Sequence, residues 1–163
     1  MVVQLHLGVP RRETLNNKTN KKEGIMGDRG QVQIISAEGS PDLFFYTHWG
    51  ASNLENVVAS AIMRGGARLG DEEYFNRIIF SEMIKDEVLK ETGYGIGFDI
   101  HGDVYKLVVV NYKDKTVGIK GVSYPVIEQG KNEWDAKYDY SNPEWLWTQE
   151  PIPFSNFAMI QLV

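Results

Sequence analysis

An apolar strand, Leu43-Phe44-Phe45-Tyr46, runs through Thr47-His48-Trp49-Gly50 directly into an amphipathic helix, and this junction limits the fold more than any other stretch of the chain. A period of two puts Leu43, Phe45 and Thr47 on one strand face and Phe44, Tyr46 and His48 on the other. The helix that follows carries Leu54, Val57, Val58, Ala61 and Ile62 on one stripe. It opens on a capping box at Ser52-Asn53-Leu54-Glu55 and stops at Gly65-Gly66. A strand apolar on both faces and a helix apolar on one are buried against each other and against further strands.

Those strands are legible on either side. Gln31-Val32-Gln33-Ile34-Ile35-Ser36 begins as an alternation, and Ala37 to Asp42 supplies the turn of a hairpin into Leu43. A second helix is expected from Asp71, where Asp71-Glu72-Glu73 stand at the positive end of the dipole, to about Glu91, with Gly93 as its stop. Three antiparallel strands are expected next, Tyr94 to Ile100, Val104 to Tyr112 and Thr116 to Lys120, joined by turns at His101-Gly102-Asp103 and Lys113-Asp114-Lys115. From Tyr124 the chain is rich in aromatics and prolines and reads as an irregular wrap. The expectation is one α+β domain over residues 26–163, ordered β-β-α-α-β-β-β, with two helices on one face of a mostly antiparallel sheet and an aromatic-rich C-terminal extension.

Residues 1–25 stand apart. They hold Arg11, Arg12, Lys18, Lys21 and Lys22 against Glu13 and Glu23, a local +3, and residues 10–24, with a single large aliphatic residue, cannot bury enough to offset the entropy of ordering, so a disordered basic extension is expected. The remainder is −8 within a net −5. An acidic body argues against binding phosphate backbones, which draws its affinity from clustered cations. The absence of cysteine removes disulfides, thiolate metal sites and a cysteine nucleophile. With no apolar run near the ~20 residues of a membrane span and no signal peptide, the default expectation is a cytoplasmic protein without membrane attachment.

Four short stretches, Met26-Gly27-Asp28-Arg29-Gly30, Tyr46-Thr47-His48-Trp49-Gly50, Arg77-Ile78-Ile79-Phe80 with Met83, and Thr92-Gly93-Tyr94-Gly95-Ile96, carry a resemblance. Their order resembles a family of small uncharacterised proteins of bacterial, archaeal and phage genomes, over roughly residues 26–112. The resemblance implies a domain that starts at Met26, and it implies no activity.

Candidate site residues are few. His48, between Thr47 and Trp49 and within reach of Asp28 or Arg29 on the neighbouring strand, could serve as a general base or ligand, or simply as a hydrogen-bonded histidine at a helix entrance. Glu82 and Asp86, four apart on the second helix, have the spacing of an acid/base or metal pair, or of a solvated helix face. Gly95 and Gly97 share a strand face, which permits close approach of a helix or a ligand. Asp99, His101 and Asp103 alternate as metal ligands would, but only if no turn breaks the strand. No G-x-G-x-x-G, P-loop or G-x-S-x-G motif is present, so no cofactor is indicated. Two readings follow. One is a noncatalytic binding or interaction module for a protein or small-molecule ligand, centred on Tyr46, Trp49, Asp28, Arg29, Gly95 and Gly97. The other is a small hydrolase, metal-assisted or using His48 as base with Glu82, Asp86 or Asp28, which requires a carboxylate within hydrogen-bond reach of His48. A strand edge at Gln31 to Ser36 or Thr116 to Lys120 would offer a homodimer contact.

Overall fold

The computed structural model describes residues 27–131 and 135–162; the expected basic extension and the start at Met26 lie outside them. The chain is a mixed α+β protein with eight strands and three helices among the described residues. The hairpin of β1 (Gly30–Ile35) and β2 (Leu43–Thr47) leads into α1 (Leu54–Gly65) and α2 (Glu72–Ile84). Then come β3 (Tyr94–Gly97), β4 (Lys106–Asn111), β5 (Thr116–Ser123), β6 (Val126–Glu128), β7 (Lys137–Tyr138), β8 (Glu144–Pro153) and α3 (Phe154–Gln161). The main sheet has the order β3-β2-β1-β4-β5-β8, antiparallel except for β1 beside β4, and β6 with β7 forms a separate ribbon.

One core joins all three helices to one sheet face. Leu54, Val58, Ala61 and Ile62 of α1, Phe75, Ile79 and Met83 of α2, and Phe154 and Phe157 of α3 pack on Val32, Ile34, Phe45, Val108, Val110 and Val117. Gly65 ends α1 where α2 crosses it. A Cβ there would stand 3.0 Å from both Phe75 and Ile78, so this glycine serves close helix packing, and Gly66 keeps a right-handed conformation rather than forming a left-handed cap.

The architecture departs from expectation in three places. Helix α2 starts as expected, with Asp71 accepting from the Tyr74 amide, but ends at Ile84. Beyond Ile84 there is no apolar stripe to bury, Val88 and Leu89 being exposed, so tertiary packing cannot extend the helix. Strand β3 does not form a hairpin with β4. It lies at the far edge beside β2, its last residue Gly97 opposite Phe44, whereas β4 starts opposite Gly30 at the other end of the sheet. Residues 98–105 must therefore return along the sheet, and they do so over the face opposite the helices. Finally, the C-terminal stretch is regular: β8 pairs with β5 and ends at Pro153, which cannot donate to a ladder and stands at the N-cap of α3.

Candidate functional site

The corner after β2 is built by backbone bonds from two distant segments. The His48 amide donates to Gly93 O at 2.9 Å and the Ala51 amide to Asp28 O at 3.0 Å. Thr47, buried on the helix side, accepts from the Gly50 amide at 3.1 Å and turns the chain into a 3-10 segment, Ala51–Asn53. Gly30 lies under Ala51 so closely that a Cβ on it would approach the Ala51 methyl to 2.7 Å. Gly27 to Gly30, Tyr46 to Gly50 and Gly93, from three of the four stretches singled out in the sequence, thus meet at this corner. The fourth, Arg77 to Phe80, lies in α2, where Phe80 touches Phe45 at 5.3 Å between ring centroids.

The capping box does not form. Ser52 gives its amide to both Asp28 oxygens at 3.0 Å and its hydroxyl to Asp28 Oδ2 at 2.6 Å, while Glu55 is taken by Lys106 Nζ at 2.9 Å. Asp28 also accepts from the Tyr105 hydroxyl. It is therefore the anion that neutralises the start of the α1 segment, supplied from another part of the chain. Burial is the largest single influence on its carboxyl and pushes it up. The Ser52 hydroxyl, Tyr105, the Ser52 amide and the charge of Lys106 together outweigh burial and hold it below its ordinary value of 3.8. A depressed carboxyl stabilises fully above the unfolded value and is lost as pH falls through the folded one. Asp28→Asn is accordingly expected to cost about 1 kcal/mol at neutral pH and to flatten the decline in stability below pH 3.8, as read from urea midpoints across that window.

Arg29, next in sequence, sends Nη1 to Asp103 Oδ2 and Nη2 to His48 Nε2 at 3.3 Å, and its buried Nε has no partner among the described residues. A guanidinium only donates, so Nε2 must accept and the imidazole proton must sit on Nδ1, which stands 3.1 Å from Tyr46 Oη. The Tyr46 hydroxyl hydrogen is then free to donate outward. Burial, with the Asp103 carboxylate, raises the Tyr46 phenol against a smaller lowering by Arg29, so it stays a donor at neutral pH. Nitrogen-15 spectra of the histidine rings are expected to show His48 as the Nδ1–H tautomer, and Arg29→Met to release that preference.

Four rings form a row on this face. His101 stacks on Tyr46 at 4.6 Å and 25°, Tyr46 meets His48 at 6.3 Å, and His48 meets Trp49 edge-on at 4.0 Å. Trp49 at the end of the row is 67% exposed. His101 and Asp103 reach the row on the returning segment 98–105, which is pinned by Gln31. The Gln31 amide donates to Asp99 O at 3.1 Å, and its carbonyl accepts from the His101 amide at 3.0 Å. Gln31 is 1% exposed, and nothing local marks it, because it reads as the solvent side of an alternating strand.

Glu82 and Asp86 lie elsewhere. They line a cavity of about 210 Å³ on the helix side with Thr47, Met83 and Tyr94, whereas His48 points to the opposite side of β2. Glu82, 7% exposed, is held by Arg64 at 3.0 Å and Lys85 at 2.7 Å. Asp86 sits past the end of α2 and is exposed. A Cβ at Gly97 would meet nothing within 4 Å and one at Gly95 only Tyr46 at 3.9 Å, so no element packs closely there. Asp99, His101 and Asp103 do not converge, and among the described residues no three His, Asp or Glu are placed to hold a metal ion. Trp145 and Trp147 share the ring row's sheet face, but β8 is four strands from β2, roughly 19 Å at ~4.8 Å per strand. No helix among the described residues is long and apolar enough to cross a membrane.

No protein-family model, curated protein or solved structure matches the chain.

Proposed function

We propose that the protein is a noncatalytic binding module whose ligand lies along the ring row from His101 to Trp49. The observation that carries this reading is the pairing of His48. Its two nitrogens are engaged by Arg29 and Tyr46, with no carboxylate among the described residues bonded to either, and the adjacent Trp49 ring is open to solvent. An acid/base histidine needs an orienting carboxylate or a free nitrogen facing substrate. Here Nε2 is occupied by a cation, and the hydrolase reading loses its other members because Glu82 is neutralised by Arg64 and Lys85 across the sheet. What the corner offers instead is a flat apolar ring, one outward hydroxyl donor and a guanidinium fixed by Asp103, which suit a ligand presenting an apolar face beside an acceptor.

The test is amide and indole chemical-shift mapping of the full chain against panels of short peptides and oligosaccharides, beside a hydrolysis screen with ester, phosphoester and peptide substrates. Shifts confined to Arg29, Tyr46, His48 and Trp49, and abolished by Trp49→Ala, support the reading. Turnover that disappears in His48→Ala would replace it with the hydrolase.

A further inference from the structure

The strands whose edges the sequence offers for a dimer, β1 and β5, are both paired on each side, and among the described residues the margins of the sheet are β3, four residues long, and β8, ten residues long. Among the described residues β8 bonds only to β5, and none of its residues is buried. Natural edges are blunted by prolines, lysines or brevity. From Glu144 to Trp147, ahead of the bulge at Thr148, β8 has none of these: Glu-Trp-Leu-Trp is proline-free and lysine-free and keeps regular register with β5, with Leu146 53% exposed. Helix α3 stands over the same margin, tied to β8 by Gln161 Nε2 to Gln149 Oε1 at 3.0 Å, and exposes Met159 and Ile160.

We propose that β8 pairs antiparallel with β8 of a second copy, forming a two-fold homodimer with one continuous twelve-stranded sheet, twice the six strands of one chain. An axis perpendicular to the sheet keeps each face with its own kind, so a residue on the axis meets itself. With Leu146 on the axis, Trp145 lies opposite the partner's Trp147 within the stretch of regular register, so no like charges meet there. Leu146 pairs with Gly121, which pairs with Lys106, which pairs with Gly30 under Ala51, and this places Leu146 on the helix side. The axis therefore brings the two α3 helices to the same side of the joint, where Met159 and Ile160 can face those of the partner. This is what selects a second copy over an isolated peptide strand, which would satisfy the edge but leave these side chains in water.

Sedimentation velocity of the full chain over a concentration series tests the arrangement, with Leu146→Lys and Ile160→Lys as variants and circular dichroism as the check on folding. The expected result is a wild type at twice 18.5 kDa and variants whose dissociation constant rises on the order of tenfold or more, because each sets two cations against each other. A wild type that stays monomeric, or a dimer that neither substitution weakens, overturns the proposal. Because Leu146 and Ile160 are exposed on separate elements, folding of either variant is enough to decide.

Discussion

Phe157→Ala is expected to lower the unfolding free energy by about 3–5 kcal/mol. Phe157 is fully buried and sits with Phe154 and Ala158 in the core that α1 and α2 share. Removing its ring leaves a cavity bounded by strands and helices that cannot collapse into it. Asn156, the residue just before Phe157 but exposed, is expected to change stability by no more than about 0.5 kcal/mol when replaced by alanine. Paired urea titrations of the two variants check this. Similar midpoints would show that α3 is not part of the core.

Gly30→Ala is expected to cost about 1–3 kcal/mol, toward the upper end, although it adds a single methyl group. The new Cβ would lie 2.7 Å from the Ala51 methyl, 3.2 Å from the Ala51 Cα and 3.2 Å from the Lys106 carbonyl oxygen. Two of those neighbours are backbone, on elements fixed by the β1–β4 ladder and by Asp28, so relief requires moving the corner itself. The double variant Gly30→Ala with Ala51→Gly removes the closest contact and is expected to recover part of the loss, giving a measurable coupling in a double-mutant cycle. Since Ala51 follows Trp49 by two residues, Gly30→Ala is also expected to disturb the His48 and Trp49 ring signals. Unchanged stability together with unchanged ring signals would mean that the corner is looser than this packing implies.

These two sites also show how far the linear chain can be read. The stripe Leu54, Val58, Ala61 and Ile62, the Asp71 cap and the turn at Lys113 to Lys115 depend on neighbours within a few residues, and all three are present. The ring row was half legible. Period two places Tyr46 and His48 together because a strand's pleat is local, but His101 and Asp103 reach them only by the return of residues 98–105, where the sequence shows no more than a turn at His101-Gly102-Asp103 between two strands.

What the sequence by itself determined, between Gly30 and Lys120, is roughly where strands and helices lie and which face of each is apolar, since periodicity and turn chemistry act within one element; β8 and α3 were not legible in the aromatic- and proline-rich end. Only the tertiary structure decided what covers each face and which polar group answers another. Ser52 and Glu55, three residues apart, would have satisfied each other, but Asp28, 24 residues away, brings a full charge to the same amide, and Lys106, 51 residues from Glu55, offers an ion pair. Gln31 became a buried anchor because a segment 70 residues later lies over it. Such partners carry no local signature, because the free energy that selects them comes from desolvation and charge pairing realised only once the elements have packed.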